Sequence, residues 1–273
     1  MALRVLTALV GTPILLAAIW WGAPWLTLLV ALAGVLAVRE FYRLHKAGSS
    51  PLPVGLGALW VLAFAMAGQA ASGPSDFLLW SLGILAGGGF AAVLWFIAVY
   101  REKHLLPGLA YLLAGPVYVG FLLAHALALR EVDAGSNLGR DWLYFALLVT
   151  FATDTGAFFV GRSLGRHLLA PAVSPGKTWE GAIGGLILAV MAALALGQVL
   201  ELGAASWQRA VAGATVGLVA QAGDLLESKL KRLSQVKDAG SIIPGHGGIL
   251  DRMDSLLLSI PTVYYLLNLV FMP

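Results

Sequence analysis

The chain has 273 residues, of which 59% are hydrophobic and 11% are charged, whereas about 25% of the residues of a soluble protein are charged. Its mean hydropathy is +0.86. There is no cysteine, which excludes disulfides, thiolate zinc sites and a cysteine nucleophile. The net charge is only +3, so the distribution of charge is more informative than the total. This composition excludes an ordinary soluble domain and is typical of a protein that crosses a membrane several times.

Nine apolar runs have about the length that crosses a bilayer, 17–25 residues. They are residues 3–21, 24–41, 52–69, 77–100, 105–129, 142–160, 182–202, 207–222 and 255–271. Turns rich in Gly, Pro and Ser join most of them. The sequence therefore predicts an all-α, polytopic membrane protein with about nine transmembrane helices. We expect one membrane domain over residues 1–273, with residues 1–140 mostly scaffold and residues 141–273 carrying the active site.

The first run resembles a signal peptide only in its length and hydropathy. Arg4 is the only basic residue before its apolar core, residues 5–21, and no small-residue cleavage site follows it. We therefore expect it to be a retained span.

Basic residues concentrate in alternate loops between the predicted spans. Arg4 and the stretches 39–46, 101–103, 162–177 and 229–252 contain 14 of the 17 Lys and Arg residues. Loops rich in Lys and Arg face the cytoplasm. The pattern predicts that the N-terminus is cytoplasmic and that the C-terminus, after nine spans, lies outside.

Three polar clusters interrupt the apolar pattern on the predicted cytoplasmic side. The first is "TDTGAFFVGR", in which Asp154 lies within or just below the sixth run. An ionisable residue at membrane depth is costly and usually faces a partner or a watery cavity. The alternative is a packing role in which Asp154 bonds to Thr153 or Thr155.

The second cluster is "SPGKTWEG", residues 174–181. A turn, a lysine and two hydroxyls just before a helix are suited to a phosphate, because backbone N–H groups point out of a helix N-terminus. The spacing does not fit a Walker A loop, and we expect no strand before it. The alternative is a capped helix entry with Thr178 as the N-cap.

The third cluster begins with "QAGDLLESKLKR", in which four polar residues recur at helical spacing: Asp224, Glu227, Ser228 and Lys231. Lys229 and Arg232 lie on its flank. An interfacial helix that binds anionic headgroups would explain the basic residues. It would leave Asp224 unexplained.

The third cluster continues with "PGHGGILDRMD", in which His246 lies between two glycines. Asp251 and Asp254 follow at i, i+3, where the ninth run begins, with Arg252 between them. Carboxylates are favoured at a helix N-terminus, and Mg²⁺ prefers one or two carboxylates completed by substrate phosphates. The three clusters together indicate a metal-dependent reaction of phosphates.

Three alternatives fit the pattern less well. A membrane phosphatidyltransferase that consumes CDP-lipid would need aspartates spread along one helix pair in a D-G-x-x-A-R type pattern, which the sequence lacks. A transporter would place its carboxylates near the middle of the bilayer, often in paired halves, whereas these cluster at one end of the spans. A lipid-binding scaffold would explain the basic residues but not Asp224, Asp251 and Asp254.

Residues 228–254 resemble the signature of the phosphatidate cytidylyltransferases, also called CDP-diacylglycerol synthases. The matching residues are Ser228, Lys231, Arg232, Lys237, Asp238, Gly240, His246, Gly247, Gly248, Asp251, Arg252 and Asp254. The stretches "TDTGAFFVGR" and "SPGKTWEG" are also similar to bacterial members of this family.

The resemblance implies transfer of CMP from CTP to phosphatidate, giving CDP-diacylglycerol and pyrophosphate, at the cytoplasmic face of a bacterial inner membrane. It implies that Asp224 and Asp251 bind Mg²⁺; a second cation such as K⁺ and a homodimer remain open. The expected partners are CTP, phosphatidate and membrane lipid, and no nucleic acid.

The expected site residues fall into two further groups. The catalytic group comprises Lys231, Arg232, Lys237, His246, Arg252, Asp254 and Asp154. The substrate-binding group comprises Ser174, Lys177, Thr178, Ser228, Gly247 and Gly248.

Overall fold

The structure is a computed structural model that describes residues 2–45, 52–99, 105–133, 135–242 and 247–271. Its helices, in chain order, are α1 (Ala2–Trp21), α2 (Trp25–Arg43), α3 (Val54–Ala70), α4 (Pro74–Val99), α5 (Leu105–Gly115), α6 (Leu122–Arg130), α7 (Leu138–Leu164), α8 (Trp179–Leu196), α9 (Ser206–Leu233) and α10 (Leu256–Leu266). A π-helical segment, Pro116–Phe121, joins α5 to α6, and another, Leu267–Phe271, follows α10. Two strands, β1 (Leu168–Ala170) and β2 (Ser174–Thr178), lie between α7 and α8.

Every predicted run coincides with helix in the described residues, which confirms an all-α, polytopic membrane protein. Within the described ranges, five helical segments are long and apolar enough to cross a membrane: Trp25–Arg43, Pro74–Val99, Pro107–Arg130, Leu138–Leu164 and Trp179–Leu196. Three shorter apolar segments accompany them, Leu9–Trp21, Val54–Ala70 and Leu256–Phe271. The run 207–222 lies in α9, which continues into the charged stripe, so the count of nine spans stays a prediction.

The chain divides into two compact units. The first comprises Met1–Ala128 and Ser234–Met253, and the second comprises Leu129–Leu233 and Asp254–Pro273. Residues 234–253 therefore belong with the N-terminal helices, although they follow α9 in the chain. The single domain expected from the sequence stays a prediction.

Aromatic side chains form part of the core of the first unit. The rings of Phe77 and Phe121 stack with centroids 5.7 Å apart, and the buried His125 ring meets both edge-on. The hydroxyl of Tyr42 donates to the Leu112 carbonyl at 2.9 Å, which ties α2 to α5. The Tyr42 hydrogen bond helps to hold α2 in place, and Glu40 near the C-terminal end of α2 contacts Leu250.

Small residues allow the helices of the second unit to approach closely. A Cβ at Gly156 of α7 would lie 2.9 Å from the Gly184 carbonyl oxygen of α8. A Cβ at Gly217 of α9 would lie 2.8 Å from the side chain of Ala189 in α8. Helices in a membrane gain little from hydrophobic burial against each other, so backbone approach at small residues contributes much of their association.

Candidate active site

The segment "SPGKT" forms strand β2 rather than the turn expected from the sequence. It pairs antiparallel with β1, with Leu168 opposite Thr178 and Ala170 opposite Ser174. The expectation that no strand precedes this segment was therefore wrong; the spacing still excludes a Walker A loop. A three-residue strand with an irregular register gives almost no periodic signal in the sequence.

The end of β2 is also a helix cap. Thr178 has extended backbone angles, and its hydroxyl oxygen accepts the N–H of Gly181 at 3.1 Å. This confirms the N-cap expected as the alternative for Thr178. The capping contact uses the oxygen as acceptor, so the hydroxyl proton remains available to a ligand.

Glu180, in the first turn of α8, accepts hydrogen bonds from the turn that leads into the β1–β2 hairpin. Its Oε2 accepts the backbone N–H groups of Arg166 and His167 at 3.1 and 3.2 Å. Its Oε1 lies 2.6 Å from Nδ1 of His167. The sequence analysis assigned Glu180 no role, and nothing in the local pattern identifies partners 13 and 14 residues upstream.

Lys177 and Asp224 form the ion pair at the centre of the second unit. The ammonium nitrogen of Lys177, which is shielded from solvent, lies 2.6 Å from Oδ2 of Asp224. Both side chains remain partly exposed, 25% for Lys177 and 33% for Asp224. The pair joins the hairpin to α9, and it brings together two residues predicted from separate clusters.

A cavity of about 450 Å³ surrounds this ion pair. Its polar lining comprises Asp154, Arg162, Lys177, Thr178, Gln221 and Asp224. Gly161, Gly176 and Gly181 contribute backbone to the wall. The cavity therefore combines cations, carboxylates and a helix N-terminus, the donor set that the sequence clusters predicted.

Asp154 lines the cavity and does not have the packing role considered as its alternative. The hydroxyls of Thr153 and Thr155 donate to the carbonyls of Val149 and Phe151, one turn earlier in α7. Each hydroxyl has a single proton to donate, so neither is available to Asp154. The carboxylate instead interacts electrostatically with its surroundings, which include Asp224, Asp254 and Lys177.

The polar stripe on α9 forms as predicted, and it contains an internal ion pair. Lys231 Nζ lies 2.5 Å from Oε2 of Glu227, one helical turn before it. Glu227 has no exposed surface, and the Lys231 side chain is 13% exposed. Ser228 Oγ lies 3.4 Å from Asp224 Oδ1, which is a weak hydrogen bond. Its i, i+4 spacing to Lys231 placed Glu227 in the predicted polar stripe, although nothing in the sequence indicated a role for it.

Arg232, the next residue after Lys231, reaches the hairpin. Its Nε donates to the Val173 carbonyl oxygen at 3.3 Å, immediately before β2. The Arg232 side chain as a whole is exposed. The contact places a basic side chain beside the segment that carries Ser174 and Lys177.

Asp254 lies against α9 at the start of the C-terminal helical segment. A Cβ at Gly223 would lie 2.6 Å from the Asp254 carbonyl oxygen, so the glycine allows this close approach. Burial, with the nearby charge of Asp224, raises the pKa of Asp254 to about 6. The N–H of Ser255 and the charges of Lys231 and Lys177 oppose this shift.

The remaining signature residues lie in the first unit, and Asp251 is buried there. Asp251 belongs to a 3-10 turn, Leu250–Arg252, and is 8% exposed. Its carboxylate accepts the N–H of Ala239 at 3.0 Å and that of Gly248 at 2.8 Å. The expectation that it sits at the start of the last helix was wrong, because α10 begins only at Leu256.

The other predicted residues near Asp251 in the sequence differ in their exposure and backbone conformation. Gly247 has φ +85°, a conformation that favours glycine, and Gly248 is buried. Lys237 and Arg252 are exposed. His246 lies outside the described residues.

The carboxylates of the second unit suit a hard cation such as Mg²⁺. Among the described residues, no group of three or more His, Cys, Asp or Glu side chains is arranged to hold a metal ion alone. Mg²⁺ usually takes one or two carboxylates and completes its shell with water and substrate phosphates. Asp224 fits this requirement, since Asp154 and Asp254 place further negative charge around it.

Comparison with known proteins places the chain in a family. The sequence profile of the Cytidylyltransferase family matches residues 2–270. The chain belongs to the cytidylyltransferase family. Membership confirms the resemblance seen in the sequence, and it gives no support to a transporter.

Named relatives cover nearly the whole chain. The phosphatidate cytidylyltransferase of Bacillus subtilis (strain 168) is 32% identical over 266 residues, 97% of each chain. That of Staphylococcus saprophyticus is 32% identical over 267 residues, 98% of this chain and 99% of the relative. That of Staphylococcus haemolyticus is 31% identical over the same length. This cytidylyltransferase is therefore similar to these relatives over nearly its whole length.

Replacing Lys231 by methionine should lower the thermal unfolding temperature in detergent, because it leaves the buried carboxylate of Glu227 without its cation. Removing one partner of a buried pair costs about 3–5 kcal/mol. The double variant Lys231→Met/Glu227→Leu should recover most of this stability, because no charge is left buried. Equal destabilisation in both variants would contradict the pairing.

Asp254→Asn should be more stable than the wild type above pH 6, by up to about 3 kcal/mol. The raised pKa means that folding disfavours the charged carboxylate, so the cost is complete above the folded pKa of about 6. As the pH falls towards 4, Asp254 becomes protonated in the folded wild type before it does in the unfolded chain. The difference in stability between the wild type and the variant should therefore disappear. Thermal unfolding from pH 4 to 8 with a chelator measures this, and parallel profiles would contradict it.

Proposed function

We propose that the protein is a phosphatidate cytidylyltransferase that transfers CMP from CTP to phosphatidate, giving CDP-diacylglycerol and pyrophosphate. The observation that carries the proposal is the Lys177–Asp224 ion pair in a cavity of a cytidylyltransferase-family chain. Relatives over nearly the full length are named for this activity.

This reaction requires the positioning of its two substrates more than it requires proton transfer. A phosphate oxygen of phosphatidate attacks the α-phosphorus of CTP; a new P–O bond forms, the bond between the α- and β-phosphates breaks, and pyrophosphate leaves with the electron pair. The attacking oxygen is already anionic, so the enzyme needs to align the two substrates and offset their charge. Nothing in this step requires a covalent intermediate on the protein.

Cationic side chains on β2 and α9 are suited to hold the phosphates. Lys177 projects from the strand that leads into the α8 N-terminus, where backbone N–H groups and the helix dipole favour an anion. Thr178 retains a hydroxyl proton that it can donate to a phosphate oxygen, and Ser174 offers a second hydroxyl on the same strand. Lys231 and Arg232 supply further positive charge from α9, with Lys231 held in position by Glu227.

Asp224 would hold Mg²⁺, with Asp154 and Asp254 beside it. Bound there, the ion would withdraw charge from the phosphate oxygens and orient the nucleotide. In the structure Asp224 pairs with Lys177, and substrate phosphates offer that ammonium group a second anionic partner. The metal role of Asp251 and the use of K⁺ stay predictions from the resemblance, and the oligomeric state stays open.

We place this multi-pass membrane protein in a bacterial inner membrane, with its N-terminus and active site in the cytoplasm and its C-terminus outside. The bias of Lys and Arg towards alternate loops supports this orientation. The named relatives are bacterial. CTP is a cytoplasmic nucleotide, which agrees with a site on that face.

The test is CMP transfer by the purified protein in detergent, with phosphatidate, labelled CTP and Mg²⁺. The wild type should form lipid-linked CMP, and Asp224→Asn should lose about a hundredfold or more in kcat, because it removes a charge on which transition-state stabilisation depends. Asp251→Asn should also be inactive.

Asp76→Asn is the matched control. It changes an exposed carboxylate in the first turn of α4 and should retain full activity. Absence of product from the wild type would refute the proposed function, and a fully active Asp224→Asn would refute the assignment of the site.

A further inference from the structure

Glu40, near the C-terminal end of α2, is a buried carboxylate outside the predicted site. It has no exposed surface. Its Oε2 accepts the backbone N–H of Leu250 at 2.9 Å, and its Oε1 has no hydrogen-bond partner among the described residues. Burying a carboxylate with so few partners is costly. The contacts that this carboxylate makes show what it contributes at that position.

Two glycines of the signature lie directly against this carboxylate. A Cβ on Gly240 would overlap Oε1 of Glu40, and a Cβ on Gly248 would overlap Oε2. Neither glycine has a positive φ, so backbone freedom does not explain them. Gly247 differs, since its φ of +85° requires glycine and its nearest side-chain neighbour is Asp251.

Asp251 also connects the segments that contain Gly240 and Gly248. The N–H groups of Ala239 and Gly248 both donate to that carboxylate. Glu40 therefore contacts Gly240, which follows the donor Ala239, together with Leu250 and with Gly248, which is itself a donor to Asp251. Two carboxylates thus join the segments 239–240 and 248–250, and all of these residues belong to the first unit.

We propose that Glu40 is a positioning residue for the reaction. Its carboxylate holds the segments 239–240 and 248–250 together and so fixes the orientation of Asp251, and the two glycines are required because Glu40 occupies the space of their side chains. The role of Asp251 in this argument rests on the proposed function. Glu40 itself touches neither substrate.

A double-mutant cycle tests the steric part of this proposal. Gly240→Ala should lower the thermal unfolding temperature and reduce kcat for CMP transfer about tenfold or more, with the KM for CTP changed less than kcat. Glu40→Ala should also reduce kcat, because Leu250 loses its acceptor. The double variant Glu40→Ala/Gly240→Ala should be no worse than Glu40→Ala alone, since truncation makes room for the new methyl group.

Three further variants make the cycle specific. Glu40→Gln keeps an acceptor for Leu250 and should retain more activity than Glu40→Ala. Gly247→Ala should not be rescued by Glu40→Ala, because its constraint is the backbone angle. Gly55→Ala, which meets open space in α3, should behave as the wild type. If Glu40→Ala does not fold, Glu40→Asp withdraws the carboxylate by one methylene and should relieve Gly240→Ala in the same way.

The outcomes separate this proposal from the proposed function. The positioning role would be overturned if the loss of kcat in the double variant equalled the product of the losses in the two single variants. A Glu40→Ala variant with normal kcat would overturn it as well. Rescue of the unfolding temperature without rescue of kcat would also overturn it, because the contact would then be structural only. A fully active Asp251→Asn would refute the role of Asp251 instead, while the rescue in stability would still identify the contact.

Discussion

The organisation of the second unit depends on the neutralisation of charge among apolar helices. Lys177 and Asp224 lie 2.6 Å apart in a chain with only 11% charged residues. A charge that is shielded from water needs an opposite charge close to it, because the free-energy cost of desolvating a single charge is large. The Lys231–Glu227 pair satisfies the same constraint one helical turn farther along α9. Both lysines are therefore held in position before a substrate phosphate arrives.

The sequence predicted the helices, and it singled out four residues that line the cavity, Asp154, Lys177, Thr178 and Asp224, because these depend on local patterns. Long apolar runs predict helices, and each run lies mostly in a helix of the described residues, whereas the number that span the membrane stays a prediction. The i, i+4 stripe on α9 predicted the face that carries Asp224, Glu227 and Lys231. The signature segment led to the family, and the comparisons confirm that family.

The contacts that the sequence did not predict join residues far apart in the chain. The hydrogen bond from Leu250 to Glu40 spans 210 residues, and the Lys177–Asp224 pair joins two clusters that the sequence left separate. The β1–β2 hairpin is too short to show a period, and Asp251 was expected at a helix start rather than buried beneath backbone N–H groups. Local patterns give the chemistry of these residues, but only tertiary packing determines their partners.

The most direct test of this account compares kcat/KM for CMP transfer between Lys177→Met and Lys229→Met, in variants of equal thermal stability. Lys229 is exposed on the flank of α9, whereas Lys177 lines the cavity. If Lys177 binds a substrate phosphate, its replacement should reduce kcat/KM at least about tenfold, as expected for loss of a charged hydrogen bond. The Lys229 variant should stay within about twofold of the wild type. Equal effects of the two replacements would contradict the claim that the phosphates are held at the Lys177–Asp224 pair.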